Sequence, residues 1–158
     1  MSAALPPLAQ QIAEIAAEAG KLILRHYFEG TEIRTKQDLS PVTLADEEAE
    51  ALIVARLGAL YPDIPIIAEE AMSRGENTEI GQRFFLVDPL DGTKEFLAKN
   101  GEFTVNIALI ENNMPLSGVV LAPAQGRAFL GDAGASAAFE LSVSNDGDLD
   151  LDRAKKIR

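Results

Sequence analysis

The stretch 88–93, with the sequence Asp-Pro-Leu-Asp-Gly-Thr, constrains this chain more than any other part of its sequence. It follows residues 84–87, a short continuous apolar run that is typical of a strand packed on both faces. Pro89 cannot donate a hydrogen bond to a neighbouring strand, so the strand is predicted to end at Asp88. Gly92 permits a tight turn, and Thr93 can begin a new helical turn. The sequence therefore predicts two carboxylates and a helix start at one sheet edge, where hard divalent cations and phosphates can bind.

Length and composition bound the classes of protein to which the chain can belong. Its 158 residues, 47% of them hydrophobic, suffice for one domain with a true core and argue against disorder. The formal net charge of −11 makes a nucleic-acid backbone an unfavourable partner. The absence of cysteine excludes disulfides, thiolate metal sites and cysteine nucleophiles, and it suits the cytoplasmic location that we expect. We expect neither a signal peptide nor a membrane span, since no stretch approaches about 20 apolar residues.

Apolar periodicity predicts an α+β fold, with two N-terminal helices packed on a largely antiparallel sheet. The helices are predicted near 8–27, ending at Gly30, and near 43–60. A short strand at 65–68 is expected to carry Glu69 and Glu70 at its end, and 71–82 is expected to be a mobile loop. The remaining predicted strands lie at 31–36, 103–111, 116–122 and 127–130. Residues 1–140 are expected to form one metal-binding domain, and 141–158 a polar charged tail.

Several predicted strand ends carry oxygen ligands. Asp88 and Asp91 flank a turn, so both side chains and the Leu90 carbonyl between them can reach one point. Glu69 ends a strand that could lie beside the 84–87 strand, which would bring a third carboxylate to the same edge. Three carboxylates and a carbonyl suit Mg²⁺, which prefers oxygen ligands. Without a metal, the clustered carboxylates would repel one another and raise one another's pKa values.

Each of these groups also has a purely structural interpretation. Asp46 lies three residues after Thr43, so this pair could be only a helix capping box, although both roles can coexist. Glu69 and Glu70 taken alone favour a solvated pair of acids. The Asp-Pro and Asp-Gly dipeptides of 88–93 are common in turns. The metal-site interpretation gains weight because all these groups lie at predicted strand ends or helix starts.

Glu69-Glu70 followed by the stretch 88–93 resembles the signature of the Mg²⁺-dependent, lithium-sensitive phosphatases related to inositol monophosphatase. Further residues resemble the CysQ-type 3'(2'),5'-bisphosphate nucleotidase branch of that family. They are Lys36, Asp38, the run 40–46, Lys94-Glu95-Phe96, Gly118-Val119-Val120, Pro123 and Gly134-Ala135. The resemblance implies a layered α/β sugar-phosphatase-like fold, of which only the first half is present here.

The resemblance also implies a role for each site residue. Two or more Mg²⁺ ions would be held by Glu69, Asp88, Asp91 and the Leu90 carbonyl. The attacking water would be oriented and deprotonated by Asp46 and Thr93, with Glu70 supporting the cluster from beside it. The backbone amides of Gly92 and Thr93 would hold the phosphate of the substrate. Lithium is expected to inhibit.

The implied reaction is in-line hydrolysis of a small-molecule phosphate ester, adenosine 3',5'-bisphosphate, to AMP and phosphate. Two alternatives stay open. One is an inositol monophosphatase or another sugar phosphatase of the same family. The other is a non-catalytic domain that binds metal or phosphate.

The chain departs from the family pattern in one respect. The family normally continues into a second α/β half, which supplies a further metal-binding Asp beside a Trp and most of the nucleotide pocket. This chain has no Trp and no evident candidate for that Asp. We therefore expect the C-terminal domain to be absent, the isolated chain to be poorly active, and the uncovered edge to favour self-association.

Overall fold

A computed structural model describes residues 4–36, 41–76 and 80–158. Its helices are α1 (Pro7–Glu29), α2 (Leu44–Leu60), α3 (Glu69–Ser73) and α4 (Thr93–Leu97). Its first five strands are β1 (Ile33–Thr35), β2 (Pro41–Thr43), β3 (Ile66–Ala68), β4 (Arg83–Asp91) and β5 (Thr104–Glu111). The other four are β6 (Met114–Ala122), β7 (Arg127–Asp132), β8 (Ala137–Ser142) and β9 (Lys155–Lys156). Asp38, with the rest of 37–40, and the middle of the predicted loop at 77–79 lie outside the described residues.

Both long helices form where apolar periodicity predicts them. Helix α1 buries Ile12, Ile15, Ala19 and Ile23 along one stripe. It ends at Gly30, which has φ 98° and donates its N–H to a carbonyl of the last helical turn at 2.8 Å. Helix α2 is capped at its start by Thr43 and packs beside α1. Together the two helices cover one face of the large sheet.

Seven strands of the described chain form that sheet, in the order β3-β4-β5-β6-β7-β8-β9. Strand β3 runs parallel to β4, and every other neighbouring pair is antiparallel. The core lies between the sheet and α1 and α2, where Phe85, Ile107, Leu121 and Leu130 are 0–2% exposed. The predicted α+β class with a largely antiparallel sheet is confirmed. Strands β1 and β2 form a separate two-stranded antiparallel sheet.

The opposite face of the sheet is apolar and open. Leu86 and Val120 on this face are 41% and 46% exposed. A row of small residues crosses four neighbouring strands in register, and it consists of Ala108, Gly118, Gly131 and Ala138. The edge strands β3 and β9 contain only three and two residues. The uncovered apolar surface is therefore mainly a face of the sheet rather than the predicted edge.

Strand β4 does not end at Asp88 as predicted. It continues to Asp91, which pairs with Thr104. The register nevertheless shifts between Asp88 and Asp91, because Pro89 between them has no N–H to donate. The sequence correctly predicts an interruption of the strand at Pro89, but it does not predict where the strand ends.

The segment predicted as a loop from 71 onwards begins with a helix, because α3 extends to Ser73. The segment 141–158 also differs from the predicted tail. Leu141, Val143 and Ala154 in it are 1%, 6% and 4% exposed. They anchor the chain so that β9 pairs with β8 and extends the sheet. Within the described ranges, no helix has the length and apolar character required to cross a bilayer.

Candidate active site

The parallel pairing of β3 with β4 brings the predicted acids to one place. Ala68, the last residue of β3, pairs with Val87 of β4. The next residues along the two strands are Glu69 and Asp88, so these carboxylates become neighbours at the same sheet end. The expectation that the two strands lie side by side is confirmed.

Asp88 is the most perturbed acid of this group. Its Oδ1 atom is buried and has no hydrogen-bond partner among the described residues. Burial, followed by the adjacent Glu69 carboxylate and the charge of Asp91, raises the pKa of Asp88 to about 8. Asp91 itself is exposed, and its Oδ2 accepts a hydrogen bond from Asn106 Nδ2 at 3.2 Å. The strand end thus concentrates negative charge around a buried carboxylate oxygen that lacks a donor.

Asp46 presents the opposite arrangement. Its Oδ2 accepts hydrogen bonds from the Thr43 backbone N–H at 2.7 Å and from the Thr43 hydroxyl at 2.6 Å. The Thr43 hydroxyl in turn accepts from the Asp46 N–H, so the predicted capping box at the start of α2 is present. The other oxygen, Oδ1, accepts from the Thr93 hydroxyl at 3.1 Å. Capping therefore coexists with a contact to the 88–93 stretch.

Asp46 is fully buried, and burial raises its pKa although the hydrogen bonds from Thr43 and Thr93 oppose the shift. The Thr93 hydroxyl is also 3.4 Å from the Leu90 carbonyl oxygen, which is a weak contact at best. The Thr93 oxygen therefore lies between the Asp46 carboxylate and the turn.

Glu70 and Lys36 contact each other near Asp46. Glu70 is 3% exposed, and burial together with the nearby Asp46 charge raises its pKa to about 7. Lys36 Nζ lies 3.2 Å from a Glu70 carboxylate oxygen and 3.4 Å from a Glu69 carboxylate oxygen. This ammonium group is a cation in contact with both acids of α3.

Gly92 is required by the shape of the turn. It has φ 92°, in the left-handed region. A Cβ atom there would lie 2.9 Å from the Glu102 carbonyl oxygen, which is too close for any side chain. Helix α4 begins at the next residue, Thr93, as predicted. The two residues expected to contact phosphate therefore lie at a tight turn beside Asp46.

The donor chemistry of this site fits Mg²⁺. Glu69, Asp88, Asp91 and the Leu90 carbonyl offer only hard oxygen ligands. The Asp88 oxygen without a partner among the described residues is an acceptor that a cation would satisfy. Within the described ranges, no three His, Cys, Asp or Glu side chains already converge as a cation site. The acids meet in pairs, so binding an ion would require their side chains to adjust.

Two residues near this site were not predicted as functional. Lys36 was noted only for its resemblance to the nucleotidase branch, and Glu50 was not singled out. Glu50 is 4% exposed and lies one helical turn after Asp46, on the buried stripe of α2 that continues with Ile53 and Leu57. The sequence could have indicated Glu50, because helical periodicity places this acid at a core position.

Known proteins are similar to this chain over most of its length. The model of the inositol monophosphatase family matches residues 5–154. The chain belongs to the inositol monophosphatase family. The 3'(2'),5'-bisphosphate nucleotidase CysQ of Salmonella typhimurium is 50% identical over 116 residues, which are 72% of this chain and 47% of that protein. The corresponding protein of Escherichia coli K12 is 48% identical, with the same shares covered.

Solved structures give the same family. The structure of CysQ from Bacteroides thetaiotaomicron matches with a TM-score of 0.70 and 32% identity, over 95% of this chain and 57% of that one. The extragenic suppressor protein suhB of Bartonella henselae matches with a TM-score of 0.75 and 30% identity, over 85% of this chain and 52% of that one. The chain thus spans about half the length of the relatives it matches.

Proposed function

We propose that this chain carries the metal-binding half of a Mg²⁺-dependent phosphomonoester hydrolase, which removes the 3'-phosphate of adenosine 3',5'-bisphosphate. The observation that carries this proposal is the meeting of two groups. The strand-end acids, with an Asp88 oxygen that has no partner in the described part of the chain, lie beside the Thr93–Asp46 pair. The nucleotide substrate is supported by the CysQ relatives, which are the most similar of the proteins compared above.

Some of the site residues would bind the metal ions and the phosphate, and others would transfer a proton. Glu69, Asp88, Asp91 and the Leu90 carbonyl would hold two or more Mg²⁺ ions, and the amides of Gly92 and Thr93 would hold the phosphate. Bound Mg²⁺ supplies a lowered pKa for the attacking water and stabilises charge on the leaving oxygen. Lithium is expected to inhibit by competing for the same oxygen ligands.

The Thr93 hydroxyl donates to Asp46, which leaves its oxygen lone pairs free to accept a proton from water. The water oxygen would form a bond to phosphorus while the bond from phosphorus to the ribose 3'-oxygen breaks, and the leaving 3'-oxygen would take up a proton from solvent water. The water proton passes through Thr93 towards Asp46, whose pKa is already raised by burial. Glu70 lies near Asp46, and burial together with the Asp46 charge raises the pKa of Glu70 to about 7. The products are AMP and inorganic phosphate.

Substitution of Asp91 tests the metal site directly. Asp91→Asn should greatly weaken Mg²⁺ binding, measured by titration calorimetry, and abolish any phosphate release from adenosine 3',5'-bisphosphate. Asp63→Asn is the matched control, because Asp63 is also an exposed Asp in a turn but lies away from the strand end. If Asp91→Asn changed neither binding nor hydrolysis, the proposed site would be wrong.

The chain's length relative to its relatives favours a second candidate, a domain that binds metal or phosphate without turning substrate over. We expect weak activity from the chain by itself, because it matches only about half the length of its relatives. Mg²⁺ binding without phosphate release from any ester would support this candidate. Faster hydrolysis of inositol phosphate than of the bisphosphate nucleotide would support a sugar phosphatase instead.

The open sheet face supports self-association as a further part of the proposal. Its exposed apolar residues, Leu86 and Val120 among them, form a surface of the kind that proteins usually cover. Val120→Lys should shift sedimentation towards monomer. Val54→Lys on α2 is the control, since Val54 is similarly exposed at 37% but lies on the helical side. Equal sedimentation of both variants and the unchanged chain would contradict this part.

A further inference from the structure

Helix α3 carries the two acids of the site but lacks a cap of its own. It has only five residues, and its N-cap residue is Ala68, whose side chain makes no capping hydrogen bond. So short a helix is not stable by itself, because nucleation costs more than its few hydrogen bonds return. Something outside α3 must therefore fix the direction in which Glu69 and Glu70 leave β3.

Glu50 supplies this contact from helix α2. One of its carboxylate oxygens accepts the Glu70 backbone N–H at 2.6 Å, and the other accepts the Ala71 backbone N–H at 2.9 Å. These N–H groups belong to the first turn of α3, where no partner exists within the helix. Glu50 thus performs for α3, from a distant part of the chain, what a capping side chain normally performs locally.

The burial of Glu50 shows that this contact is not incidental. Its side chain is 6% exposed, and its nearest cation, Arg74, lies 3.6 Å away and is half exposed. Burial raises the pKa of Glu50, while the two backbone N–H donors oppose that shift. Burying a carboxylate costs free energy, and Ser or Asp at position 68 would cap α3 at a lower cost. The carboxylate instead links α3 to the helix that carries Asp46.

This link ties both sides of the site to one element. Asp46 and Glu50 are four residues apart and lie on the same buried side of α2. Asp46 contacts Thr93, and Glu50 contacts the start of α3. Helix α2 therefore sets the position of the water-activating pair relative to Glu69 and Glu70.

We propose that Glu50 is a positioning residue for Mg²⁺ binding, which holds the first turn of α3 so that Glu69 and Glu70 face the site. The inference rests on the proposed function, because it assumes that the site binds Mg²⁺. Residues that support a metal ligand typically contribute about 10-fold to 100-fold to metal affinity.

The test compares Mg²⁺ affinity by titration calorimetry in Glu50→Gln and in two control variants. Glu50→Gln keeps the shape but presents an amide that cannot accept from both N–H groups, so the affinity should fall at least about 10-fold. Glu48→Gln removes an exposed charge from the same helix and should change affinity less than about twofold, since the Glu48 carboxylate pairs with His26. Ile53→Val lowers the melting temperature through the core alone and should also leave affinity unchanged.

Glu50→Asp is the second variant, in case Glu50→Gln does not fold. It keeps the charge but is shorter by one methylene, so it should retain one of the two contacts and show an intermediate affinity. In the unchanged chain, hydrogen exchange at the Glu70 and Ala71 amides should be slow, and in Glu50→Asp at least one of them should exchange faster.

The outcomes separate the inference from the proposed function. Mg²⁺ binding that is unaltered in both Glu50 variants would overturn the role of Glu50 and leave the metal site standing. Absence of Mg²⁺ binding by the unchanged chain would overturn both. An equal loss of affinity in Ile53→Val would show that lowered stability alone weakens binding, and it would overturn the positioning role.

Discussion

The two sides of the candidate site differ in how their acids are satisfied. On the α2 side, Asp46 and Glu50 use every carboxylate oxygen to accept hydrogen bonds from named donors. On the strand side, Asp88 keeps a buried oxygen without a donor in the described chain and faces Glu69 and Asp91. The carboxylate oxygens of the first side thus have their hydrogen-bond donors in the folded chain. On the second side, Lys36 contacts Glu69 but the buried Asp88 oxygen has no donor in the described chain, and a divalent cation would satisfy it.

This difference distinguishes the carboxylates that accept hydrogen bonds within the fold from those that a bound cation would satisfy. The donors to Asp46 and Glu50 favour the charged form of these acids and oppose the rise in pKa that burial causes. Acids that face one another destabilise the folded chain when both are ionised. Variants on the two sides should therefore have opposite effects on the stability of the metal-free chain.

The largest effect is expected from Asp88→Asn. Loss of this charge should weaken Mg²⁺ binding by more than about 100-fold, above the range for residues that only support a ligand. Without metal, the variant should be as stable as the unchanged chain or more stable at pH 8, because a crowded carboxylate is removed. Calorimetry and thermal unfolding measure the two effects. A clear loss of metal-free stability would mean that the Asp88 carboxylate stabilises the fold, and it would remove the contrast between the two sides.

Asp46→Ala should show the reverse pattern in stability. The Thr43 N–H, the Thr43 hydroxyl and the Thr93 hydroxyl would all lose their acceptor. Leaving buried donors unpaired costs about 1–3 kcal/mol, so the free energy of unfolding should fall by that amount without metal. Denaturant unfolding measures it. If Asp46→Ala were as stable as the unchanged chain, the Asp46 carboxylate would not stabilise the metal-free fold. The two sides of the site would then not differ in this respect.

Much of this arrangement could be predicted from sequence because it depends on local patterns. The Thr43 and Asp46 spacing predicts the capping box, and short apolar runs before Glu69 and Asp88 predict adjacent strand ends. The role of Glu50 could not be predicted, because periodicity shows that it is buried but not which backbone it meets. The pairing of β9 with β8 was missed for a similar reason, since Lys155-Lys156 has no strand pattern and its partner is distant in sequence.

The pH dependence of the metal-free chain should reflect the buried acids whose pKa values are raised most, Asp88 and Glu70. The pKa of Asp88 rises from 3.8 to about 8, and that of Glu70 from 4.5 to about 7. Both groups bind their protons more tightly in the folded state than in the unfolded state. The stability they contribute is fully present below about pH 4 and is lost as the pH rises towards 7–8.

The melting temperature of the metal-free chain should therefore fall between pH 5 and pH 8, and it should fall less in Asp88→Asn. Saturating Mg²⁺ should also reduce the fall, because the cation favours the ionised carboxylates. The measurement is a series of thermal scans with a chelator or with Mg²⁺. Identical pH profiles for the unchanged chain and Asp88→Asn would show that Asp88 is not protonated in the metal-free fold.

The smallest effect is expected from substitutions of Thr43. They separate the role of Asp46 in capping α2 from its contact with Thr93. Thr43→Ala removes the cap on α2 and should lower the free energy of unfolding by about 1 kcal/mol, whereas Thr43→Ser should retain most of the cap. Neither change touches the Asp46 oxygen that accepts from Thr93, so Mg²⁺ affinity should stay within about twofold in both. Denaturant unfolding and calorimetry on the same samples measure the two quantities. A fall in affinity that follows the loss of stability in Thr43→Ala would mean that the cap and the metal site are coupled, and that the α2 side is part of the ligand site as well as its support.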